Sequence, residues 1–262
     1  MNKQFNHQTG NHLEINGAQI YYEEIANAGK PVLLFLHGGM GNMADFNPII
    51  PLFADDYYIV GIDSRGHGKS TLGTEKLTYK RLQLDAEAII NHLKLKDVNV
   101  IGFSDGGIVA YRLALSENAP IQKIVTLGAV CCESSPEDNE KFFTGVTHEE
   151  YINGFKQNFV FYAQHNPQPD TSTFIKCVEE MWFDKSDDGY PSASVTNIKI
   201  PTLIVRGDND FDSIEQYAEL KTKIENSVFF NVPFEGHVAV FEKYPHIFVE
   251  VVKDFLNANC AN

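Results

Sequence analysis

The hydrophobic positions near the start of the chain alternate with polar ones. In residues 11–25 this alternation runs on both sides of Asn16-Gly17, with apolar side chains such as Leu13 and Ile20 at every second position. A period of two around an Asn-Gly pair is typical of a β-hairpin. We therefore expect the chain to open with two antiparallel strands.

After the hairpin the pattern changes to short, continuous apolar runs, each bounded by Gly or Asp and followed by a helical stretch. The runs are Val32–Leu36, Tyr57–Ile62, Val98–Phe103, Ile124–Leu127, Thr202–Val205 and Val228–Val232. Such runs indicate buried parallel strands in βαβ units. Two segments between or after them carry an apolar helical face, made of Leu82, Ala86, Ile89 and Leu93 in one and of Phe248, Val251, Val252 and Phe255 in the other.

These elements predict an α/β fold. Parallel strands need crossover connections, so the expected architecture is a mostly parallel, twisted sheet with helices on both faces. Ligands of such sheets bind at the carboxyl ends of the strands. Catalytic or binding residues are therefore expected directly after the predicted strands.

Residues 131–193 interrupt the alternation of strands and helices with charges, four prolines and many aromatic residues. We predict an inserted helical cap, or lid, over this range, and a core domain formed by residues 1–130 and 194–262. At least two amphipathic helices are expected in it, from the helical spacing of Tyr151, Phe155, Phe159 and Tyr162 and of Phe174, Val178, Met181 and Trp182. Most of these aromatic side chains should pack on the core, and some should line a cavity beneath the cap.

Composition narrows the function classes. The chain has 262 residues, of which 43% are hydrophobic, and a formal net charge of −14. So acidic a chain is a poor partner for nucleic acid or an anionic membrane. Residues 1–10 contain no apolar signal segment and no run approaches the roughly 18 apolar residues of a membrane span, which predicts a soluble, cytoplasmic protein.

The four cysteines indicate neither a disulfide framework nor a metal site. Cys131, Cys132, Cys177 and Cys260 form no CxxC pair and have no metal-ligand spacing. We expect inert or buried thiols.

The strongest local motif is the G-x-S-x-G formed by residues 102–106, directly after the apolar run that ends at Phe103 and before a helical stretch expected to begin near Ile108. A serine on a tight strand-to-helix turn is forced into a strained backbone conformation that exposes its hydroxyl. Gly102 and Gly106 permit the sharp bend. We therefore predict that Ser104 is a nucleophile.

A serine nucleophile needs a base, and the sequence places a histidine after the last predicted strand. Gly236 gives the loop freedom to carry His237 toward Ser104. The other histidines lie in the N-terminal segment, in or beside helices, in the cap, in the loop at His37 or in the turn of residues 63–70. His237 is the predicted general base.

The base in turn needs a carboxylate to hold its tautomer and to stabilise the imidazolium ion. Three aspartates follow the run Thr202–Val205, and we favour Asp210, because it completes a G-x-x-D after the turn glycine. Asp208 is the next candidate, Asp212 lies close by, and Glu133 is a more distant alternative.

An acyl-transfer site also needs N–H donors for the developing oxyanion. We predict the backbone amides of Asp105, the residue after the nucleophile, and of Gly39, in the His37-Gly38-Gly39 loop. His37 precedes this loop, and we interpret it as a residue that fixes the loop by hydrogen bonds.

Together these features resemble the α/β-hydrolase superfamily, from about residue 18 to 256. The order Ser104, Asp210, His237 is the family's order, and His37-Gly38-Gly39 is similar to its oxyanion loop. Residues 63–70 resemble the family's D-x-R-G-x-G-x-S turn, in which we expect Asp63 and Arg65 to pair or to bond local amides.

Within the superfamily, GFSDGG is most similar to valacyclovir-hydrolase-like and proline-iminopeptidase-like members, although HGGMG departs from the HGGPG of the peptidases. Asp105 differs from the Met or Gln that is more frequent after the nucleophile. Its carboxylate is expected either to cap local amides or to face a cationic group of the substrate. Phe103 and Trp182 are the other predicted substrate-binding residues.

The resemblance implies hydrolysis of a small carboxylic ester, or of an amide or thioester, through an acyl-enzyme. It implies no metal and no organic cofactor, and a small molecule as the partner. Two alternatives stay open: hydrolysis of a carbon–carbon bond by the same triad, and a small-molecule receptor that keeps the fold without turnover.

Overall fold

The computed structural model describes residues 3–132, 134–237 and 244–258. Eight strands in the described ranges form one sheet with the order β1-β2-β4-β3-β5-β6-β7-β8. Their bounds are β1 Asn11–Ile15, β2 Ala18–Ile25, β3 Val32–Leu36, β4 Tyr58–Ile62, β5 Val98–Phe103, β6 Ile121–Leu127, β7 Thr202–Gly207 and β8 Ser227–Val232. Every predicted strand is present.

The predicted hairpin is also present. β1 and β2 pair antiparallel, with Ile15 opposite Ala18. Asn16 and Gly17 have φ values of 47° and 76°, the left-handed region that a two-residue hairpin turn of this type requires. β2 pairs antiparallel with β4, and all later pairs are parallel.

Helices cover both faces of the sheet. Their bounds are α1 Ile50–Phe53, α2 Tyr79–His92, α3 Asp105–Ala114, α4 Ser135–Phe143, α5 His148–Gly154, α6 Lys156–His165, α7 Thr171–Trp182, α8 Ile214–Lys223 and α9 Pro245–Asn257, with short 3₁₀ helices at Met43–Phe46 and Val195–Asn197. Successive strand residues point to opposite faces. Val100 accordingly packs in the core beneath α2, α3 and α8, whereas Ile101 packs in the core beneath α1 and α9.

The sequence order reverses around β3, which lies between β4 and β5. Chain segments that leave β3 and β5 therefore diverge to opposite sides and open a crevice at the carboxyl ends of the two strands. This is the position at which α/β sheets bind their ligands.

The described part of the segment between β6 and β7 holds four α-helices, α4 to α7, where the sequence indicated at least two. The helical spacing from Tyr151 to Tyr162 suggested one helix, and this was wrong. The chain leaves helical geometry at Phe155, with φ −112° and ψ 34°, directly after Gly154, so α5 ends and α6 begins there. Helix α4 was not predicted because most of its residues are polar or charged. That these helices form a cap distinct from the core stays a prediction.

Three of the four cysteines lie in the described residues. Cys131, Cys132 and Cys177 are free thiols, and Cys260 lies outside the described residues. Burial raises the pKa of Cys131 to about 12, so its thiol stays protonated and unreactive at neutral pH.

Among the described helices, none has the length and apolar character needed to cross a bilayer.

Candidate active site

Ser104 occupies a strained turn between β5 and α3. Its φ of 51° and ψ of −118° lie outside the regions that residues with a side chain normally adopt. A Cβ added at Gly102 would lie 2.2 Å from the carbonyl oxygen of Gly106, and one at Gly106 would lie 2.0 Å from that of Leu36. Only glycine fits at either position. The helix begins at Asp105, not near Ile108, so Ser104 itself is the N-cap residue.

His237 and Asp210 complete a hydrogen-bonded row that starts at Ser104. His237 Nδ1 lies 2.8 Å from Asp210 Oδ1, and Nε2 lies 3.1 Å from Ser104 Oγ. Because an ionised carboxylate only accepts, Nδ1 carries the proton and Nε2 is free to accept from the serine hydroxyl. The structure thus brings together the three predicted triad residues.

The surroundings of the row fix its geometry. The Asp210 side chain is fully buried, and the amide of Phe211 donates to its Oδ1 at 2.8 Å, while the hydroxyl of Tyr217 donates to Oδ2 at 3.3 Å. Phe211 also packs on the His237 ring, with centroids 4.4 Å apart. The hydrogen bond to Asp210 and the packing of Phe211 together fix the orientation of the imidazole ring.

The alternative acids have other environments. Asp208 Oδ1 accepts a hydrogen bond from Asn231 at 3.1 Å on the exposed side of β8. Asp212 lines the cavity beside Ser104, and burial, followed by the negative charge of Asp210, raises the pKa of its carboxyl to about 6. Glu133 lies outside the described residues.

The loop after β3 brings Gly38 against Ser104 and Gly39 against Asp105. The amide of Ser64 donates to His37 Nε2 at 2.9 Å, so Nδ1 carries the proton and donates to the carbonyl of Gly38 at 2.7 Å. His37 thus fixes the loop, as the sequence indicated. Within the described chain, neither the Gly39 nor the Asp105 amide has a protein acceptor. Both residues line the cavity that Ser104 and His237 face.

The turn after β4 supports this loop from behind. Asp63 accepts from the amides of Met43 and Lys69 at 3.0 and 2.8 Å. Arg65 instead pairs with Asp85 of α2 through two hydrogen bonds, at 2.7 and 2.8 Å. Of the two options for Asp63 and Arg65, the structure therefore contains the bonds to local amides and not a pair between them.

A cavity of about 450 Å³ lies over Ser104, His237 and Asp212. The predicted substrate-binding residues Phe103, Asp105 and Trp182 all line it. Most of the remaining wall is apolar. It comes from the segment after β6, from α4, from the end of α5 and from the loop after β7, through residues that include Val130, Phe142, Phe143, Phe155 and Phe211. A small, mostly apolar substrate fits such a cavity.

Sequence reasoning missed several polar and aromatic wall residues. Tyr79, Asn139 and Tyr190 contribute polar groups, but nothing in their sequence context distinguishes them from surface positions. Phe142 and Phe211 stack with centroids 5.3 Å apart, although 59% and 46% of each residue stays exposed. Phe211 could have been anticipated, because it directly follows the favoured acid.

The chain is similar in sequence to known hydrolases. The family model described as alpha/beta hydrolase fold matches residues 31–176. A putative esterase/lipase from Haemophilus influenzae is 25% identical over 284 residues, covering 96% of this chain and 93% of that protein. A 2-hydroxy-6-oxo-6-(2'-aminophenyl)hexa-2,4-dienoic acid hydrolase from Metapseudomonas resinovorans is 24% identical and covers 94% of this chain and 90% of its own.

A solved structure gives the same fold. An esterase from Exiguobacterium antarcticum superimposes with a TM-score of 0.76, at 21% identity, over 95% of this chain and 99% of that one. At this identity the likeness concerns the architecture, and the site has to be argued from its own residues.

Proposed function

Since the chain belongs to the alpha/beta hydrolase family and is a hydrolase, we propose that it hydrolyses a small carboxylic ester, or a related amide or thioester, through an acyl-enzyme on Ser104. The observation that carries the proposal is the hydrogen-bonded row from Asp210 through His237 to Ser104, which opens on an apolar cavity. Such a row activates a serine hydroxyl, a weak nucleophile by itself.

In the first step Ser104 Oγ attacks the substrate carbonyl carbon and His237 Nε2 takes the hydroxyl proton. The imidazolium ion that forms is stabilised by Asp210, whose Oδ1 lies 2.8 Å from Nδ1. The carbonyl oxygen becomes an oxyanion, which the amides of Asp105 and Gly39 stabilise. Asp105 is also the first residue of α3, so the partial positive charge of the helix N-terminus adds to this effect.

His237 then returns its proton to the leaving alcohol, amine or thiol, and the acyl group stays on Ser104. In the second half of the reaction a water molecule attacks the acyl carbon while His237 accepts one of its protons. His237 passes this proton to Ser104 Oγ as the acid leaves, which restores the serine hydroxyl. The helices of the segment 131–193, which we propose to act as a cap, hold the apolar part of the substrate.

Steady-state kinetics on p-nitrophenyl esters of short carboxylic acids test the proposal. Ser104→Ala and His237→Ala should each lower kcat by about 10⁴-fold or more, because each removes a partner of one catalytic unit. Ser116→Ala is the matched control. Ser116 lies just after α3, and its hydroxyl accepts a hydrogen bond from the amide of Asn118. Activity of Ser104→Ala equal to that of Ser116→Ala would refute the acyl-enzyme.

Hydrolysis of a carbon–carbon bond beside a ketone is the second candidate, and the dienoic acid hydrolase among the relatives supports it. The same triad can serve this reaction. A parallel assay of a vinylogous 1,5-diketone distinguishes the candidates: the ester proposal predicts a kcat/KM at least about 100-fold higher for the best ester, a difference of nearly 3 kcal/mol in transition-state stabilisation.

A further inference from the structure

The carboxylate of Asp105 accepts hydrogen bonds from other side chains of the protein. Asp105 is 7% exposed, and its side chain lies between α3 and the inserted helices. The indole N–H of Trp182, the last residue of α7, donates to Oδ2 at 2.8 Å and to Oδ1 at 3.0 Å. The hydroxyl of Tyr79, the first residue of α2, donates to Oδ1 at 2.8 Å. Both carboxylate oxygens are therefore hydrogen-bonded.

These bonds continue into the segment between β6 and β7. The Tyr79 hydroxyl lies 3.2 Å from that of Tyr190, which in turn accepts from the Asn139 amide group of α4 at 2.5 Å. Burial raises the pKa of Tyr79 and Tyr190 far above the ordinary value, so both stay neutral donors. One buried carboxylate thus connects the N-terminus of α3 with α2, α4 and α7.

The oxyanion loop touches the same two side chains. A Cβ added at Gly39 would lie 2.5 Å from Asp105 Oδ2 and 2.7 Å from Cζ2 of Trp182. The backbone of Gly39 therefore lies directly against the Asp105–Trp182 hydrogen bond. A displacement of Trp182 would change the packing of both residues whose amides are the proposed oxyanion donors.

We infer that Asp105 is a positioning residue that couples the docking of α7 to the placement of the Gly39 and Asp105 amides, and that it is not a binding site for a cationic group of the substrate. The inference rests on the proposed function. A hydrogen-bonded carboxylate holds its own backbone in place, and an error of about 1 Å in such a site costs roughly 100-fold in rate. Trp182 and Tyr79 donate to both oxygens of this buried carboxylate, so a substrate ammonium group would have to compete with them for it.

Asp105→Asn and Trp182→Phe test the coupling. The first places an amide that can turn a donor toward the indole N–H, and the second removes that N–H while it keeps an aromatic ring. On a neutral ester each should lower kcat about 10- to 100-fold with KM changed less than about threefold, because oxyanion contacts act in the transition state. The double variant should be no slower than the slower single variant, since both remove one interaction.

Asn166→Ala is the matched control. Asn166 also ties the inserted helices to the core, through bonds from its amide group to the carbonyls of Gly68 at 2.9 Å and Ser70 at 2.8 Å, but it touches neither Asp105 nor Gly39. It should lower the melting temperature and leave kcat within about threefold of the wild type. Trp182 is the sole tryptophan of the chain, so the emission of Asp105→Asn reports directly on the broken bond and should differ from that of Asn166→Ala.

Three results would overturn the inference while the proposed function stands. They are additive losses in the double variant, a loss of kcat in Asn166→Ala equal to that in Trp182→Phe, and an Asp105→Asn enzyme that raises KM solely for esters with a protonated amine. A wild type that turns over no ester at all would instead overturn the proposed function, and this inference with it.

Discussion

Asp208 and Asp210 form a matched pair two positions apart in one loop. The carboxylate of Asp210 accepts from His237, whereas that of Asp208 accepts from Asn231. Asp210→Asn replaces a charge with an amide of the same shape, so the favoured histidine tautomer and the stabilisation of the imidazolium ion are lost. We expect kcat to fall by about 10³- to 10⁴-fold at pH 7.

Asp208→Asn should keep kcat within about threefold of the wild type, because surface substitutions away from the site have small effects. Ester hydrolysis under identical conditions measures both variants. Equal losses in the two would mean that the loop as a whole, and not the Asp210–His237 contact, supports activity.

Ionisation of the Asp212 carboxyl should lower the free energy of unfolding. Its pKa is about 6 in the folded protein and about 3.9 in an unfolded chain. Between these values the folded state holds a proton that the unfolded state has lost, so the free energy of unfolding decreases as the pH rises from about 4 to about 6. Asp212→Asn removes this dependence.

The variant should therefore gain stability relative to the wild type as the pH rises, by no more than about 3 kcal/mol at pH 8 compared with pH 4. Urea unfolding at the two pH values measures the difference, with Asp208→Asn as the exposed carboxylate control. A stability difference that is the same at both pH values would show that the Asp212 carboxyl is not perturbed in this way.

At the scale of the elements, the β5–α3 junction is the segment that steric limits fix most tightly. Gly106→Ala places a Cβ 2.0 Å from the Leu36 carbonyl oxygen, which forces β3 and α3 apart. We expect a loss of more than about 2 kcal/mol in the free energy of unfolding, together with a loss of activity. Gly154→Ala is the matched control, because its Cβ would meet nothing within 4 Å.

Gly154→Ala ends α5 with a better helix former and should be neutral or stabilising by about 0.5 kcal/mol. Chemical denaturation checks both glycine variants. If Gly106→Ala kept the same free energy of unfolding as Gly154→Ala, the β5–α3 junction would not lie so close to β3.

An element can be predicted from sequence when the apolar side chains that it buries form a regular pattern. Strands that are buried on both faces, such as Val98–Phe103, are continuous apolar runs, and the sequence located all of them. Helix α4 buries only Ser135 and Pro136, so it has no long apolar face that a sequence pattern could reveal. The break at Phe155 depends on one residue's backbone angles, which spacing alone does not reveal.

At the scale of the whole molecule, the candidate site depends on contacts between residues far apart in sequence. Ser104, Asp210 and His237 could be named in advance because each lies within a few residues of the carboxyl end of a strand, where a parallel sheet gathers such residues. The bond between Trp182 and Asp105 could not be anticipated, since it depends on where α7 docks on α3. The cavity wall was missed for the same reason.

The proposed hydrolysis requires that Ser104 is an activated nucleophile. The intact mass of the folded protein after treatment with a fluorophosphonate, with peptide mapping of the modified residue, tests this requirement. We predict one adduct, on Ser104, in the wild type and none in Ser104→Ala, with strongly slowed labelling in His237→Ala. A folded wild type that takes up no adduct, or an equal adduct on Ser104→Ala, would contradict the account.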